Sequence, residues 1–272
     1  RLFVVYAIKI IFTCNSNGTM TLRALLFDVD GTLADTERDG HRVAFNRAFA
    51  EAGLDWHWGE ALYGKLLKVS GGKERLRHYI KKWKPGMDRD IEPDELIVEL
   101  HQAKTRHYLE LMSGGLIPLR PGVERLLAEA REEGVRLAIA TTTTPENVTA
   151  LLSATLGEHS VGWFDVIAAG DCVPRKKPAP DIYIRALDQL GLGTTECLAL
   201  EDSDNGLESS LAAGLKTLVT VNGYTARQDF TGAALVLSQL GEPGAGFEVL
   251  AGDAGSATYV DLAFLRTLFA RR

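Results

Sequence analysis

Short apolar runs alternate with helix-like stretches along most of this chain. The first run, residues 24–27, is followed at once by the polar string Asp28-Val29-Asp30-Gly31-Thr32. Such a run predicts a buried parallel strand that places polar side chains at its carboxyl end. Open α/β sheets bind their ligands at that end, so the string is a candidate site.

The next stretch, residues 35–112, has no strong strand pattern. Glycine and proline pairs such as Gly71-Gly72 and Pro85-Gly86 divide it, and helix periodicity predicts four helices between them. The predicted helices span 38–52, 60–69, 73–82 and 93–112. We therefore expect a helical cap domain, 35–112, inserted after the first strand.

Strand and helix patterns alternate over the rest of the chain. The predicted strands are 136–140, 164–168, 197–200 and 215–221, a helix ends near 133, and others start near 145, 179, 205 and 260. This alternation builds a doubly wound parallel sheet. We expect an α/β fold with a Rossmann-like core of 20–34 and 113–272; the glycine-rich 241–255 carries no predicted chemistry.

The first residues are expected to lie outside the fold. Residues 2–12 are apolar except for Lys9, and the run is shorter than the roughly 20 residues that span a bilayer. No small-residue cleavage site follows it. We expect residues 1–19 to be an upstream or non-native extension before a start at Met20, and we expect no membrane association.

Composition narrows the range of ligands. The chain has 46% apolar and 24% charged residues, which excludes a disordered chain or a coiled coil. With 30 basic and 36 acidic residues its net charge is −6, so we expect no nucleic acid or anionic membrane partner. Three cysteines argue against a disulfide framework and favour a reducing, cytoplasmic compartment.

Candidate chemistry falls at the ends of four core segments. Asp28 and Asp30 suit a hard cation and a reacting group, and Thr141 to Thr144 precede Pro145 at a helix start that suits phosphate. Lys177 stands before another such start, and Glu201-Asp202 end a strand. Each feature alone also fits a solvated turn, a helix cap or a solvated lysine.

Taken in order, these segments resemble the haloacid dehalogenase-like hydrolases. The four motifs are LLFDVDGTL, LAIATT, KKPAPDIY and LALEDSDNG, within residues 22–225. The resemblance implies that Asp28 is the nucleophile that forms an aspartyl-phosphate and that Asp30 is the acid and base. It also implies Mg²⁺ on Asp28, the Asp30 carbonyl, Asp202 and, through water, Glu201, with Thr141 and Lys177 on the phosphoryl oxygens.

Two features refine this interpretation. The second carboxylate, Asp30, and the Glu201-Asp202 pair favour phosphoryl transfer, because a halide leaves carbon without a proton and without a metal. Asp171 and Asn205 are candidates only for a supporting role around the site.

Within the cap, Gly71-Gly72 precede Lys73 and Arg75 at a helix start, and His101 and Lys104 share a helix face. These groups suit a second anionic group of the substrate, although a plain turn with solvated charges is the alternative. The cap also resembles that of CbbY-type sugar-phosphate phosphatases, which act on xylulose-1,5-bisphosphate. The resemblance rests on ADTE (34–37), LDWHW (54–58), Tyr63, GGKER (71–75), HQAK (101–104), LRPG (119–122) and ATTTTPENV (140–148).

That resemblance implies a substrate site and leaves some questions open. The implied contacts are Asp30, Glu37, Tyr63, Gly71, Gly72, Lys73, Glu74, Arg75, His101, Gln102, Ala103, Lys104, Thr141, Thr144 and Lys177. The stretch 38–41 is one residue longer than the family's spacing, so no role is assigned to His41. A β-phosphoglucomutase-like phosphomutase and, from another class, a phospho-accepting signalling domain are the alternatives; we expect a monomer.

Overall fold

The computed structural model describes residues 21–83 and 93–271. Its strands are β1 Ala24–Phe27, β2 Arg136–Ala140, β3 Val166–Ala168, β4 Cys197–Glu201, β5 Lys216–Thr220, β6 Leu235–Leu237 and β7 Val249–Ala251. Its helices are α1 Arg42–Glu51, α2 Glu60–Leu66, α3 Gly72–Trp83, α4 Pro93–Ser113, α5 Val123–Glu132, α6 Pro145–Leu156, α7 Asp181–Leu190, α8 Asp204–Ala212 and α9 Leu262–Ala270. The predictions for residues 1–19 and for the turn at Pro85-Gly86 fall outside the described residues.

The strands form one sheet in the order β3-β2-β1-β4-β5-β6-β7, parallel except for the last pair. Strand β1 lies between β2 and β4. On one side of β1 the chain adds β2 and β3, and on the other side it adds β4 to β7. Side chains alternate between the two faces because successive strand residues point in opposite directions. Leu25 and Phe27 of β1 pack with α5, α6 and α9, whereas Ala24 and Leu26 pack with α7. The predicted doubly wound α/β fold is confirmed.

The helical segment after β1 has an apolar cluster of its own. Phe45, Trp58, Tyr63, Leu76 and Leu100 are among its fully buried members, and they come from α1 to α4 and the loop before α2. The connections into and out of this segment run side by side. Residues 34 and 119 form an antiparallel bridge, and the backbone N–H of residue 120 donates to the carbonyl of residue 33 at 2.8 Å.

Several predicted boundaries are wrong. The helix predicted over 38–52 starts as a π-helical turn, Glu37–His41, and only then becomes α1. The helix predicted to run to 69 ends at 66, where an i→i+3 turn tightens the chain. The strand predicted from 164 starts at 166, because a 3₁₀ turn, Glu158–Trp163, runs up to it.

The remaining corrections concern the end of the sheet and one helix. The sequence pattern does not predict strands β6 and β7: each is an apolar stretch of only three residues, shorter than the predicted strands. The helix predicted from 179 begins at 181, after Pro180, whose ring nitrogen carries no hydrogen to donate. In the part of the chain that the structure describes, no helix is both long and apolar enough to cross a bilayer.

Candidate active site

Three buried carboxylates and one buried lysine meet where β1 and β4 end. Lys177 Nζ lies 2.6 Å from Asp28 Oδ1 and 2.6 Å from Glu201 Oε1. One oxygen from each of Asp28, Glu201 and Asp202 lies within 4.8 Å of the others. All four residues are at most 7% exposed. The fold therefore joins residues that the sequence placed at separate segment ends.

The sheet explains this meeting. Phe27 of β1 is in register with Leu200 of β4, so Asp28 and Glu201 leave the sheet at the same edge. Thr141 follows the other neighbour, β2, and is 1% exposed. Gly31 turns the chain after β1 with φ +92°, and a Cβ there would lie 2.3 Å from an Asp202 oxygen. Glycine is needed both for this backbone angle and for the close approach.

Charges in the cluster are not balanced. Burial raises the pKa of Asp28 to about 7; Lys177 opposes that shift, while Glu201 and Asp30 add to it. Burial and the neighbouring carboxylates raise the pKa of Asp202 well above its usual range. Burial opposes the charge of Lys177, yet Asp28 and Glu201 raise its pKa above the ordinary value. One lysine faces three carboxylates, an arrangement that suits a divalent cation with oxygen ligands.

Asp30 is held as an anion by two donors. Thr36 Oγ1 donates to Asp30 Oδ1 at 2.5 Å, and His41 Nε2 lies 2.8 Å from the same oxygen. Burial would raise the pKa of Asp30, but His41, Thr36 and more distantly Lys104 lower it to about 2. The His41 ring stacks on Tyr108 at 4.2 Å between centroids, which fixes its orientation.

The π-helical turn explains why His41 reaches Asp30. A π turn holds one more residue than an α-helical turn, so the extra residue of the 38–41 stretch is taken up before α1 begins. Gly40 permits the tight packing there, because a Cβ would lie 3.0 Å from the Tyr108 ring and 3.1 Å from Ile117. The sequence pattern does not predict a role for His41. The feature that could have indicated one is the stretch 38–41, which is one residue longer than the family's spacing.

A second cavity adjoins the first between the helical segment and the start of α6. Both cavities are lined by Asp30, Glu37, Arg75 and Thr142. The first also contains Asp28, Thr141, Lys177 and Asp202. The second also contains His41, Phe45, Gly71, Gly72, His101, Lys104, Thr143, Thr144 and Asn147. A ligand with two anionic ends could therefore occupy both.

Two buried cations line the second cavity. Arg75 Nη1 donates to the Tyr63 hydroxyl oxygen at 2.8 Å, and Tyr63 in turn donates to Glu37 Oε2 at 2.5 Å. Lys104 Nζ lies 5.4 Å and 5.1 Å from the ring centroids of Phe45 and Tyr108. Burial lowers the pKa of Lys104 to about 8. Both cations are thus buried, and Arg75 already lies 3.7 Å from the Glu37 carboxylate.

Two neighbouring polar groups complete the wall of this cavity. Burial, followed by the charges of Lys104 and Lys73, lowers the pKa of His101 to about 3, so His101 is neutral. Asn147 is 1% exposed; its Nδ2 donates to Thr143 Oγ1 at 3.1 Å, while its Oδ1 has no partner among the described residues. The sequence pattern predicts no role for Asn147.

Some predicted contacts lie elsewhere. Gln102 and Ala103 line a different groove, with Glu51 and Arg106. Lys73 Nζ pairs with Asp171 Oδ2 at 2.9 Å, across from the helical segment to the loop after β3.

Glu74 and Asn205 also lie beside the cavities rather than at their centre. The Glu74 carboxylate packs against Gly71, whose φ of +91° favours glycine. Asn205 Nδ2 donates to the carbonyl of Lys68 at 3.2 Å, a second link between the helical segment and the sheet side.

Comparison with known proteins gives a consistent picture. The sequence profile of the family described as haloacid dehalogenase-like hydrolase matches residues 22–214. A protein named CbbY from Cupriavidus necator is 54% identical over 222 residues, covering 82% of this chain and 87% of that protein. A CBBY-like protein of Arabidopsis thaliana is 42% identical over 85% of this chain and 74% of its own length.

Solved structures agree. The crystal structure of CbbY from Rhodobacter sphaeroides with phosphate has 46% identity and a TM-score of 0.76, covering 80% of this chain and 95% of that one. A mutant of the same protein, with the same identity, coverage and TM-score, was solved with xylulose-1,5-bisphosphate. A β-phosphoglucomutase from Clostridium difficile, at 20% identity and TM-score 0.66 over 79% of this chain and 90% of that one, shares the fold.

Proposed function

The chain belongs to the haloacid dehalogenase-like hydrolases and is a phosphatase of the CbbY type, and from this premise we propose that it hydrolyses xylulose-1,5-bisphosphate with Mg²⁺ through an aspartyl-phosphate. The observation that carries the proposal is the pair of adjoining cavities. Asp28 and Lys177 line one and Lys104 lines the other, with Arg75 at both. A sugar with a phosphate at each end matches that charge arrangement.

The buried carboxylates fit a magnesium ion. Asp28, Glu201 and Asp202 offer hard oxygen donors close together, and the raised pKa values of Asp28 and Asp202 show that negative charge there is undercompensated. We propose that these residues and the Asp30 carbonyl hold Mg²⁺, Glu201 through water. When bound, Mg²⁺ would offset the negative charge on the phosphoryl oxygens.

The proposed reaction has two displacements at phosphorus. An Asp28 carboxylate oxygen attacks phosphorus, the bond to the sugar oxygen breaks, and Asp30 gives its proton to the departing oxygen. Asp30 then takes a proton from water, whose oxygen attacks phosphorus and releases phosphate and free Asp28. Lys177 and Thr141 orient the phosphoryl oxygens throughout.

Asp30 must gain a proton before the first displacement. His41 and Thr36 favour its carboxylate, the form needed to deprotonate water. A phosphate dianion entering the cavity brings negative charge close to Asp30 and so raises its pKa. Substrate binding therefore favours the acid form, with the proton taken from solvent, and its transfer to the departing sugar oxygen leaves the base form for the second step.

We also propose that residues 35–112 act as a cap over the site. The separate apolar cluster of α1 to α4 supports this, as do the two connections that pair in an antiparallel bridge at residues 34 and 119. The cap would carry Arg75 and Lys104 to the distal phosphate and exclude water from the reacting one.

Release of inorganic phosphate from xylulose-1,5-bisphosphate in the presence of Mg²⁺ tests the proposal. We expect turnover of this substrate at a kcat/KM well above that for glucose-1-phosphate or simple monophosphates. Conversion of a sugar phosphate to its isomer without phosphate release would support the phosphomutase alternative instead. Stable phosphorylation of Asp28 without turnover would support the signalling alternative.

His41→Ala should move the basic limb of the kcat profile to higher pH. Removing His41 makes the carboxylate of Asp30 less stable, so the pKa of Asp30 rises and the acid form needed in the first displacement persists to higher pH. We expect a shift of about 1–2 pH units, measured as phosphate release at saturating substrate between pH 5 and 9. Thr36→Val is the matched control: it removes a neutral donor to the same oxygen and should move the limb less. An unchanged profile in His41→Ala would contradict this role.

Lys104→Met should weaken bisphosphate binding and stabilise the fold. Losing the buried cation should raise KM for the bisphosphate on the order of 10²-fold and affect a monophosphate much less. The melting temperature should rise, because burial disfavours the charge of Lys104 and methionine carries none. The wild-type KM should also rise above pH 8, as Lys104 loses its proton, and this rise should be absent in the variant.

The matched control for that change is Lys81→Met, an exposed lysine of α3. It should leave KM and its pH dependence unchanged. Equal KM increases for mono- and bisphosphates in Lys104→Met would show that Lys104 does not bind a distal phosphate.

A further inference from the structure

Arg120 is a buried arginine at the exit of the helical segment that touches none of the proposed reacting groups. It is 8% exposed and stands in the LRPG stretch, to which the proposed chemistry assigns no role. Its charged partner within the described residues is Asp35, at 3.5 Å from Nε. The guanidinium otherwise binds backbone carbonyls and, at 3.1 Å, the hydroxyl of Thr220, an arrangement that holds chain segments in place.

Those carbonyls come from three separate segments. Nη1 donates to the carbonyl of Gly31 and, at 3.0 Å, to that of Thr220 at the end of β5. Nη2 donates to the carbonyl of Val221 at 2.5 Å and to that of Ser238, just after β6, at 3.0 Å. One side chain thus joins the loop after β1 to the ends of β5 and β6.

Two of these segments contact the same oxygen of Asp202. Gly31 packs so closely that a Cβ there would lie 2.3 Å from Asp202 Oδ2. Asn222, the residue after Val221, donates from Nδ2 to that oxygen at 2.6 Å. Arg120 therefore binds the Gly31 peptide and the peptide before Asn222, the two groups that fix where the Asp202 carboxylate lies.

We propose that Arg120 is a positioning residue for this phosphatase: it sets the distance between the Asp28–Thr32 loop and Asp202 through Gly31 and Val221. The assignment rests on the proposed function for the roles of Asp28 and Asp202. The planar guanidinium of Arg120 carries several N–H donors and can reach carbonyls of several segments at once, whereas a lysine ammonium cannot. The same residue fixes the connection out of the helical segment, because its own N–H binds Leu33.

Arg120→Lys tests the proposal, with Arg125→Lys as the matched control. Arg125 makes a similar set of bonds, to the carbonyls of Gly241 and Val260 and to Glu129 and Glu242, but away from the site. Arg120→Lys should lower kcat about 10- to 100-fold with little change in KM. The Mg²⁺ concentration needed for half-maximal thermal stabilisation should rise about 10-fold. Arg125→Lys should lower the melting temperature without changing either quantity.

The magnesium titration uses no substrate, so it remains informative if xylulose-1,5-bisphosphate is not hydrolysed. In that event kcat is measured with para-nitrophenyl phosphate, and the proposed substrate fails while the role of Arg120 is still tested. If Arg120→Lys does not fold at the assay temperature, Arg120→Ala is assayed in the cold with millimolar guanidinium, which should restore kcat. Wild-type kcat and Mg²⁺ dependence in Arg120→Lys, or equal kcat losses in both lysine variants, would overturn the proposal.

Discussion

Replacing Asp28 with asparagine should lower phosphate release from xylulose-1,5-bisphosphate by at least about 10⁴-fold. The amide keeps the shape of the carboxylate and an oxygen that can accept from Lys177, which binds Asp28 Oδ1 at 2.6 Å. An amide oxygen is a poor nucleophile at phosphorus, so the covalent step fails while the site stays assembled. The measurement is single-turnover phosphate release at saturating Mg²⁺, compared with Asp188→Asn on the exposed face of α7.

The fold of Asp28→Asn should survive the change. Burial raises the pKa of Asp28 to about 7, which shows that its negative charge is unfavourable in the folded protein. The neutral amide of asparagine does not carry that charge. We expect the variant to bind the bisphosphate with a Kd near the wild-type KM, as measured by thermal shift. Turnover within about 100-fold of wild type would rule out Asp28 as the nucleophile.

The positions of Asp28, Thr141 and Glu201 could be predicted from the sequence because each stands at the carboxyl end of a short apolar strand. In a parallel sheet, residues that follow such strands meet at one edge whatever the details of packing. What the sequence does not contain is which strands are neighbours. The place of β4 beside β1 puts Asp202 against Gly31, and that contact depends on the whole strand order.

Residues that act through shape or backbone contacts were beyond sequence reasoning. His41 contacts Asp30 only because a π-helical turn takes up one residue, and helix periodicity does not reveal such a turn. Arg120 binds carbonyls, which every residue carries, so its partners leave no pattern in the sequence. Gln102 shows the opposite failure: it neighbours His101 in sequence, yet helix geometry turns it to another groove.

The cationic residues proposed to bind a distal phosphate do not all lie in the same place. Arg75 and Lys104 line the second cavity, and their binding of an anion stays a prediction. Lys73, on the same turn as Arg75, instead reaches Asp171 across the gap to the core. Both members of this ion pair are partly exposed, so the contact adds little to the stability of the protein.

Lys177→Met should remove activity and destabilise the protein together. Lys177 donates to both Asp28 and Glu201 at 2.6 Å, and all three are buried. Without it the phosphoryl oxygens lose a donor, which should lower kcat by about 10²- to 10³-fold or more. The carboxylates would be left without their cation, which should lower the free energy of unfolding by about 3–5 kcal/mol.

The pH dependence of that loss distinguishes charge crowding from lost packing. Folded carboxylates whose pKa values are raised bind protons more tightly than unfolded ones, whose pKa is about 4. The free energy of unfolding should therefore rise as the pH falls from 8 to 5, more steeply in Lys177→Met than in wild type. Urea unfolding in a chelating buffer measures it, with the adjacent Lys176→Met, whose partner Asp171 is largely exposed, as control. A pH-independent loss of stability in Lys177→Met would mean that Lys177 supports the fold by packing rather than by balancing the charge of Asp28, Glu201 and Asp202.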